Sequence, residues 1–333
     1  MALTEEQEIK VPGLLSRFVR LQSGVKAHYS TSGEAGPAVV LLHGGIPGSS
    51  GSAGFRYMAP FLGAHGFRVY CPDFPGFGLT EDPGRFYAYG QGGQVDYLQD
   101  FVNAVALDTF CLGGNSMGCQ TSVNYVVAHP ERVERFAVIA GMIGDLVTRD
   151  EMRAVDNRAK QGPLPGSGGT YDGTETMMRA MIESMVVDPS GVTDELVSMR
   201  TAAANRNRDY YDLNMGRVLR PTDPNELIRL TTKGRLDKAT IPGIAMFGDK
   251  DVLYAVEAAH LQEDALPNVQ FFYPENTGHQ GQTDRPELHH QVFLEFFRDG
   301  KVSWETAQAA GISTRRPPNP DLVGIPTDAP FTN

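Results

Sequence analysis

The sequence predicts an α/β fold: a mostly parallel twisted sheet flanked by helices, with one long helical insertion. Three observations carry that prediction. Short, fully apolar runs recur in PAVVLLHGG, FRVYCPDFPGFG and RFAVIAG, each passing into a glycine- or proline-rich loop, the pattern of strands buried on both faces. Helical spacing separates the runs, and alternating strands and helices build a parallel sheet whose ligands bind at the carboxyl ends of its strands. From about Ile143 to Leu236 the runs stop and helical, Met- and Arg-rich chain replaces them, before PGIAMFGDKD and NVQFFYPENTGH resume the pattern.

Taken in order, Phe18 to Leu21 and Val25 to Tyr29 read as two short strands around the turn at Ser23-Gly24. The run Pro37 to Gly45 is the next strand, Tyr57 to Gly63 a helix, and Phe67 to Cys71 a strand entering a Pro/Gly loop. Gly92 to Leu107 has helical spacing, Phe110 to Gly113 is a strand, and Ser116 to His129 is a helix stopped by Pro130. The segment Gln161 to Gly173, QGPLPGSGGTYDG, interrupts the helical insertion. After the last two apolar runs comes a helix from Pro286 to Phe297, and the tail from about Val302, with RRPPNPDLVGIP, is too proline-rich for helix or central strand. The predicted division is therefore a core in two parts, 1–142 and 237–300, a helical lid over 143–236 and an extended arm over 301–333.

Composition narrows the function. The 333 residues are 41% hydrophobic and 21% charged, which suits a soluble globular chain with a sizeable core. A formal charge of −11 without Lys/Arg clusters excludes a nucleic-acid or anionic-lipid surface. The start, MALTEEQEIK, is not a signal peptide, and no run of about 18 apolar residues could span a membrane, so a cytoplasmic protein is expected. Cys71, Cys111 and Cys119 lack zinc spacing and read as free, buried thiols. Neither metal nor organic cofactor is expected; the expected partners are a small-molecule substrate and further copies of the chain in a homo-oligomer.

The stretch GGNSMGCQ, Gly113 to Gln120, carries the chemistry. A G-x-S-x-G turn between a strand and a helix is a nucleophile elbow, whose glycines let the backbone fold tightly enough to present Ser116 at the sheet edge. The partners follow in the order Ser, Asp, His. FGDKD offers Asp249 and Asp251 as the acid; Asp251, third after the glycine, is chosen, with Asp249 left to cap the loop or face solvent. His279 in NTGHQ is the base, while His129, His289 and His290 are expected at the surface. Backbone N–H groups of Met117 and of Gly45, preferred over Gly44, would form the oxyanion hole. His43 and Asp73 are expected to shape their loops rather than react.

At this point HGGIPG (His43 to Gly48), PDFPGFG (Pro72 to Gly78), GNSMG (Gly114 to Gly118), GDKD and GH together resemble the meta-cleavage product hydrolases, a carbon–carbon bond hydrolase branch of the α/β-hydrolases. The resemblance covers most of residues 15 to 298 and is strongest over 39 to 140. It implies an α/β-hydrolase fold, cleavage of a vinylogous 1,5-diketone formed by catechol ring opening, and a triad of Ser116, Asp251 and His279. It also implies substrate contacts from Asn115 and from a lid arginine, Arg200, with Gly44 and Gln280 in the same region. Two positions depart from the family pattern: Gln280 stands where a tryptophan usually follows the histidine, and Gly54 falls where an asparagine is common. An ester or lactone hydrolase with the same triad, and a ligand-binding protein on a hydrolase scaffold, are the competing readings.

Overall fold

The structure is a computed structural model and describes residues 10–81, 84–155, 164–166, 171–211 and 229–327. Strand β3 (Ala38–Leu42) sets the pattern of the core. Val39 and Leu41 join one apolar cluster with Phe55, Leu62 and Phe293, whereas Val40 and Leu42 join another with Tyr97, Phe101 and Val123. Adjacent side chains of a strand point to opposite faces, so five consecutive apolar residues mean that helices cover both.

The elements follow as β1 (Leu15–Arg20), β2 (Lys26–Ser32), β3, α1 (Gly51–Phe55), α2 (Met58–Ala64), β4 (Arg68–Pro72), α3 (Gln91–Ala104), β5 (Phe110–Asn115), α4 (Met117–Ala128) and β6 (Val133–Ile139). After the insertion come β7 (Gly243–Met246), α8 (Val256–Ala265), β8 (Val269–Phe272), α9 (Gly281–Asp284) and α10 (Pro286–Asp299). The eight strands form one sheet in the order β1-β2-β4-β3-β5-β6-β7-β8. β2 pairs antiparallel with β1 and β4, and every pairing from β4 to β8 is parallel. The loops after β3, β5, β7 and β8 therefore open at the same edge. Cys71, Cys111 and Cys119 are free and buried.

Between β6 and β7 the described chain contains α5 (Arg149–Val155), α6 (Glu175–Glu183) and α7 (Asp194–Arg206). Thr174 and Thr193 cap α6 and α7 by accepting the N–H groups of Met177 and Leu196. Their apolar faces make a separate small core of Met178, Met181, Ile182, Leu196 and Met199, resting on Ala53 and Leu79 of the sheet unit. The expected glycine-rich interruption lies largely outside the described residues, at 161–163 and 167–170.

Two expectations need correction. The tail is not an extended arm throughout: β9 (Val302–Ser303) pairs with β10 (Val323–Gly324), and α11 (Trp304–Ala309) lies between them. The prolines that argued against a helix begin only at Pro317, beyond its end, and Ser303 caps it by accepting the N–H of Thr306. Residues 328–333 lie outside the described chain. His289 and His290, expected at the surface, are buried on the core side of α10; burial pushes the pKa of each down to about 4.

Candidate active site

The elbow follows from close packing around Ser116. A Cβ on Gly118 would lie 2.1 Å from the Leu42 oxygen, and one on Gly114 would lie 2.4 Å from the Gly118 oxygen, so only glycine fits at either place. Ser116 sits at φ 57°, ψ −116°, a conformation that costs an L-residue on the order of 1–3 kcal/mol and marks functional sites. The surroundings hold it there: its N–H donates to Ile139 O and its carbonyl accepts from Cys119 N–H, both at 2.9 Å. Ser116 retains partial exposure among buried neighbours. Met117 is the first residue of α4, and an N–H at that position has no acceptor within its own helix.

Of the two candidate acids, Asp251 reaches the imidazole. Its Oδ2 lies 2.9 Å from His279 Nδ1, with both side chains buried. Oδ1 of Asp251 accepts the N–H groups of Leu253 and Tyr254 at 2.7 and 3.0 Å, so the carboxylate is fixed from both sides. Asp249 instead accepts the Thr277 N–H at 3.2 Å and faces Lys250 at 3.3 Å, which makes it a loop cap. With Nδ1–H directed at Asp251, His279 Nε2 is left buried and has no hydrogen-bond partner among the described residues. Asn115 Nδ2 donates to Ile139 O at 3.1 Å and to His279 O at 3.3 Å. That amide ties the elbow to the histidine loop, and only its Oδ1 remains for another partner.

The loop after β3 is held by a separate polar network. His43 Nδ1 donates to Gly44 O at 2.7 Å and Nε2 accepts the Phe74 N–H at 3.0 Å. Burial pushes its pKa down to about 4, so the ring is neutral, both nitrogens are occupied, and neither can serve as a base. Asp73 accepts the Gly51 N–H at 2.8 Å and the Leu79 N–H at 2.9 Å, and pairs with His28 at 2.7 Å. The Tyr211 hydroxyl donates to Gly45 O at 2.8 Å. Gly44 is the loop residue against the nucleophile: a Cβ there would lie 3.3 Å from both Ser116 Cβ and Asn115 Oδ1.

Gly44, Asn115, Arg200 and Gln280 line one small cavity, together with His43, Ser49, Gly54 and Gln282. The four residues expected at the substrate are thus brought together, and Gly54 adds no side chain to the wall. Arg200 is only 3% exposed. Its Nη2 donates to Ser49 Oγ at 3.0 Å, and its Nε–H is buried without a partner among the described residues. Burial first, and the neighbouring Arg56 second, push its pKa down to about 9, and among the described residues no carboxylate is among the main charges acting on it. A buried guanidinium without an anion is costly, so the cavity is electrostatically prepared for one. Ser49 and Gln282 were not singled out in the sequence: GSSGS reads as a loop, and nothing marks a glutamine three residues past a histidine.

A model of the alpha/beta hydrolase fold family matches residues 37–286. A 2-hydroxy-6-oxononadienedioate/2-hydroxy-6-oxononatrienedioate hydrolase of Dechloromonas aromatica (strain RCB) is 28% identical over 293 residues, spanning 84% of this chain and 94% of that protein. A 2-hydroxy-6-oxo-6-(2'-aminophenyl)hexa-2,4-dienoic acid hydrolase of Metapseudomonas resinovorans is 26% identical over 291 residues, spanning 85% and 90%. Among solved structures, the 2-hydroxy-6-oxo-6-phenylhexa-2,4-dienoate hydrolase of Rhodococcus sp. strain RHA1 superposes with a TM-score of 0.70 at 24% identity, over 86% of this chain and 99% of that one. At that identity the likeness speaks for the fold. No described helix is long and apolar enough to cross a membrane.

Proposed function

The chain belongs to the alpha/beta hydrolase fold family, and from that premise we propose that it is a serine hydrolase cleaving a carbon–carbon bond in a 2-hydroxy-6-oxo-hexa-2,4-dienoate type of substrate. The observation that carries this reading is Arg200, a buried guanidinium with an unused Nε–H in a cavity that adjoins the nucleophile. A general esterase acting on neutral esters has no need of a desolvated cation there; a dienoate brings the missing carboxylate. The relatives named for such dienoates, matched over most of their length, point the same way.

In this reading the helices between β6 and β7 form the lid, and Arg200 on α7 holds the substrate carboxylate through charge-assisted hydrogen bonds. Asn115 Oδ1, the free end of that amide, accepts a hydrogen bond from the adjacent hydroxyl. Carbon–carbon cleavage expels a carbanion unless its electrons enter a conjugated carbonyl, so the dienol end must first ketonise. His279 Nε2 then takes the Ser116 proton as Oγ bonds to the ketone carbon, and Asp251 holds the imidazole tautomer and stabilises its charged form. The oxyanion is received by the N–H groups of Met117 and Gly45. When the carbon–carbon bond breaks, its electron pair passes into the ketonised dienoate, which collects the proton and leaves, and water releases the acyl group from Ser116.

The test is a paired assay of a ring-opened yellow dienoate and a neutral aryl ester on the same preparation. The proposal expects turnover of the dienoate that is lost in Ser116→Ala. Turnover of the ester alone would replace it with a carboxylesterase, and turnover of neither would leave a binding protein.

A further inference from the structure

Asp284 ends the short helix α9, yet its side chain's hydrogen-bond partners among the described residues all lie outside that helix. Its side chain is buried, and its Oδ1 accepts the N–H groups of Val187 at 3.0 Å and Asp188 at 2.7 Å. Oδ2 accepts the N–H of Val187 at 2.9 Å and of Gly278 at 2.7 Å. One carboxylate therefore joins two segments far apart in sequence. Val187 and Asp188 lie between α6 and α7 of the helical insertion, and Gly278 immediately precedes His279. The two segments also meet directly: the Gln280 N–H donates to Met185 O at 3.2 Å, and a Cβ on Gly278 would come within 2.6 Å of that same oxygen.

We infer that Asp284 is a positioning residue that makes placement of His279 depend on the helical insertion being seated over the sheet. The inference rests on the reading of His279 as the base. Hydrogen bonds from N–H groups to a carboxylate are worth more than neutral ones, and here the accepting carboxylate and its bond to Gly278 are buried, while the bonds from Val187 and Asp188 lie partly buried at the rim. If residues 187 and 188 move away, the carboxylate loses its donors on that side, and the anchor of Gly278 loses its own fixed position. The imidazole then samples orientations away from Ser116, so the open form is a poor catalyst and the seated form a competent one.

The test compares Asp284→Asn and Asp284→Glu with the unmodified full chain by hydrogen exchange and by steady-state kinetics. An asparagine keeps the size but presents an NH₂ to a ring of donors. In that variant, amide exchange over both 185–188 and 278–280 should rise by about tenfold, the scale set by one lost charge-assisted bond, while exchange over β6 stays unchanged. kcat should fall by up to about 10²-fold, the scale of a small misplacement of a catalytic group, on a neutral ester and on the dienoate alike. Asp284→Glu, which retains the charge, should recover part of both. If Asp284→Asn does not fold, Asp188→Pro deletes one insertion-side donor, together with the Asp188 cap on the Ser190 N–H, and leaves the Asp284 carboxylate, and exchange at 278–280 should still rise with that at 185–188. A rise confined to 185–188, or one spread evenly over the chain, would overturn the inference. The exchange readout does not depend on activity, so loss of the serine-hydrolase reading would appear separately, as turnover that survives Ser116→Ala.

Discussion

Around the nucleophile elbow the protein consumes its own polar groups, whereas around Arg200 it leaves them open. Ser116 N–H, the Asp251 carboxylate, both nitrogens of His43 and the Asn115 amide nitrogen all have protein partners at 2.7 to 3.3 Å. Arg200 Nε and Gln282 Oε1, buried in the neighbouring cavity, have none among the described residues. A satisfied network fixes geometry; an unsatisfied buried group adds a cost that a ligand can remove. The difference separates a region built to hold its shape from one built to receive something, and in the first region His279 Nε2 is buried and open among the described residues, as a base awaiting a proton must be.

The sharpest way to break the comparison is at the serine. Ser116→Ala should lower kcat by about 10⁶-fold, as loss of a triad nucleophile does, while circular dichroism and substrate binding remain. Retention of even a tenth of the activity would remove the elbow from the chemistry. Next in size is the acid. Asp251→Asn should cost about 10⁴-fold in kcat through loss of the imidazole's tautomer and charge support, and Asp249→Asn, which loses a loop cap, should cost less than about tenfold. The reverse ranking would reassign the acid in spite of the 2.9 Å contact.

The elbow region was legible in the sequence because its constraints are local. Two glycines bracketing a serine, after the apolar run Phe110 to Leu112 and before a helix, leave few alternatives, and the loops holding Asp251 and His279 are each announced by an apolar run that passes into a loop. The receiving region was legible only in part. Arg200 was reached through resemblance, but Ser49, Gln282 and Asp284 were not, since their importance comes from segments 96 to 151 positions away or from a missing partner, and neither leaves a mark in the local pattern. The tail misled for a related reason: prolines were allowed to speak for the whole segment, although they begin after the helix that contradicts it.

A smaller loss should separate the two regions by substrate. Arg200→Ala removes charge-assisted contacts worth about 1.5 to 3 kcal/mol, so kcat/KM for a dienoate should fall roughly ten- to hundred-fold, while that for a neutral aryl ester stays within about threefold. Equal losses would mean that Arg200 supports the insertion's packing. No loss on either would place it outside the site.

The smallest expected effect is the most specific to the charge on Arg200, and it appears only in alkaline solution. With its pKa pushed down to about 9, the free protein's guanidinium is protonated at neutral pH and begins to lose its proton within a testable range. A bound carboxylate favours the protonated form, so the complex holds that proton more tightly than the free protein does. Dienoate binding therefore takes up a proton above pH 9 and none well below it. The affinity should be flat from about pH 7 to 8.5 and then weaken, approaching about tenfold per pH unit, when measured as Kd on Ser116→Ala so that turnover does not enter. Arg56, Tyr171 and Tyr211 are the other titratable groups that Arg200 feels. They remain in the Ser116→Ala, Arg200→Ala double variant, where binding should be weak at every pH and the alkaline break gone. A break that persists there belongs to another group than Arg200. An affinity that holds constant to pH 10.5 in Ser116→Ala would mean that the guanidinium keeps its proton there or that the carboxylate does not rest on it, and the size of the Arg200→Ala loss on the dienoate at neutral pH decides between the two.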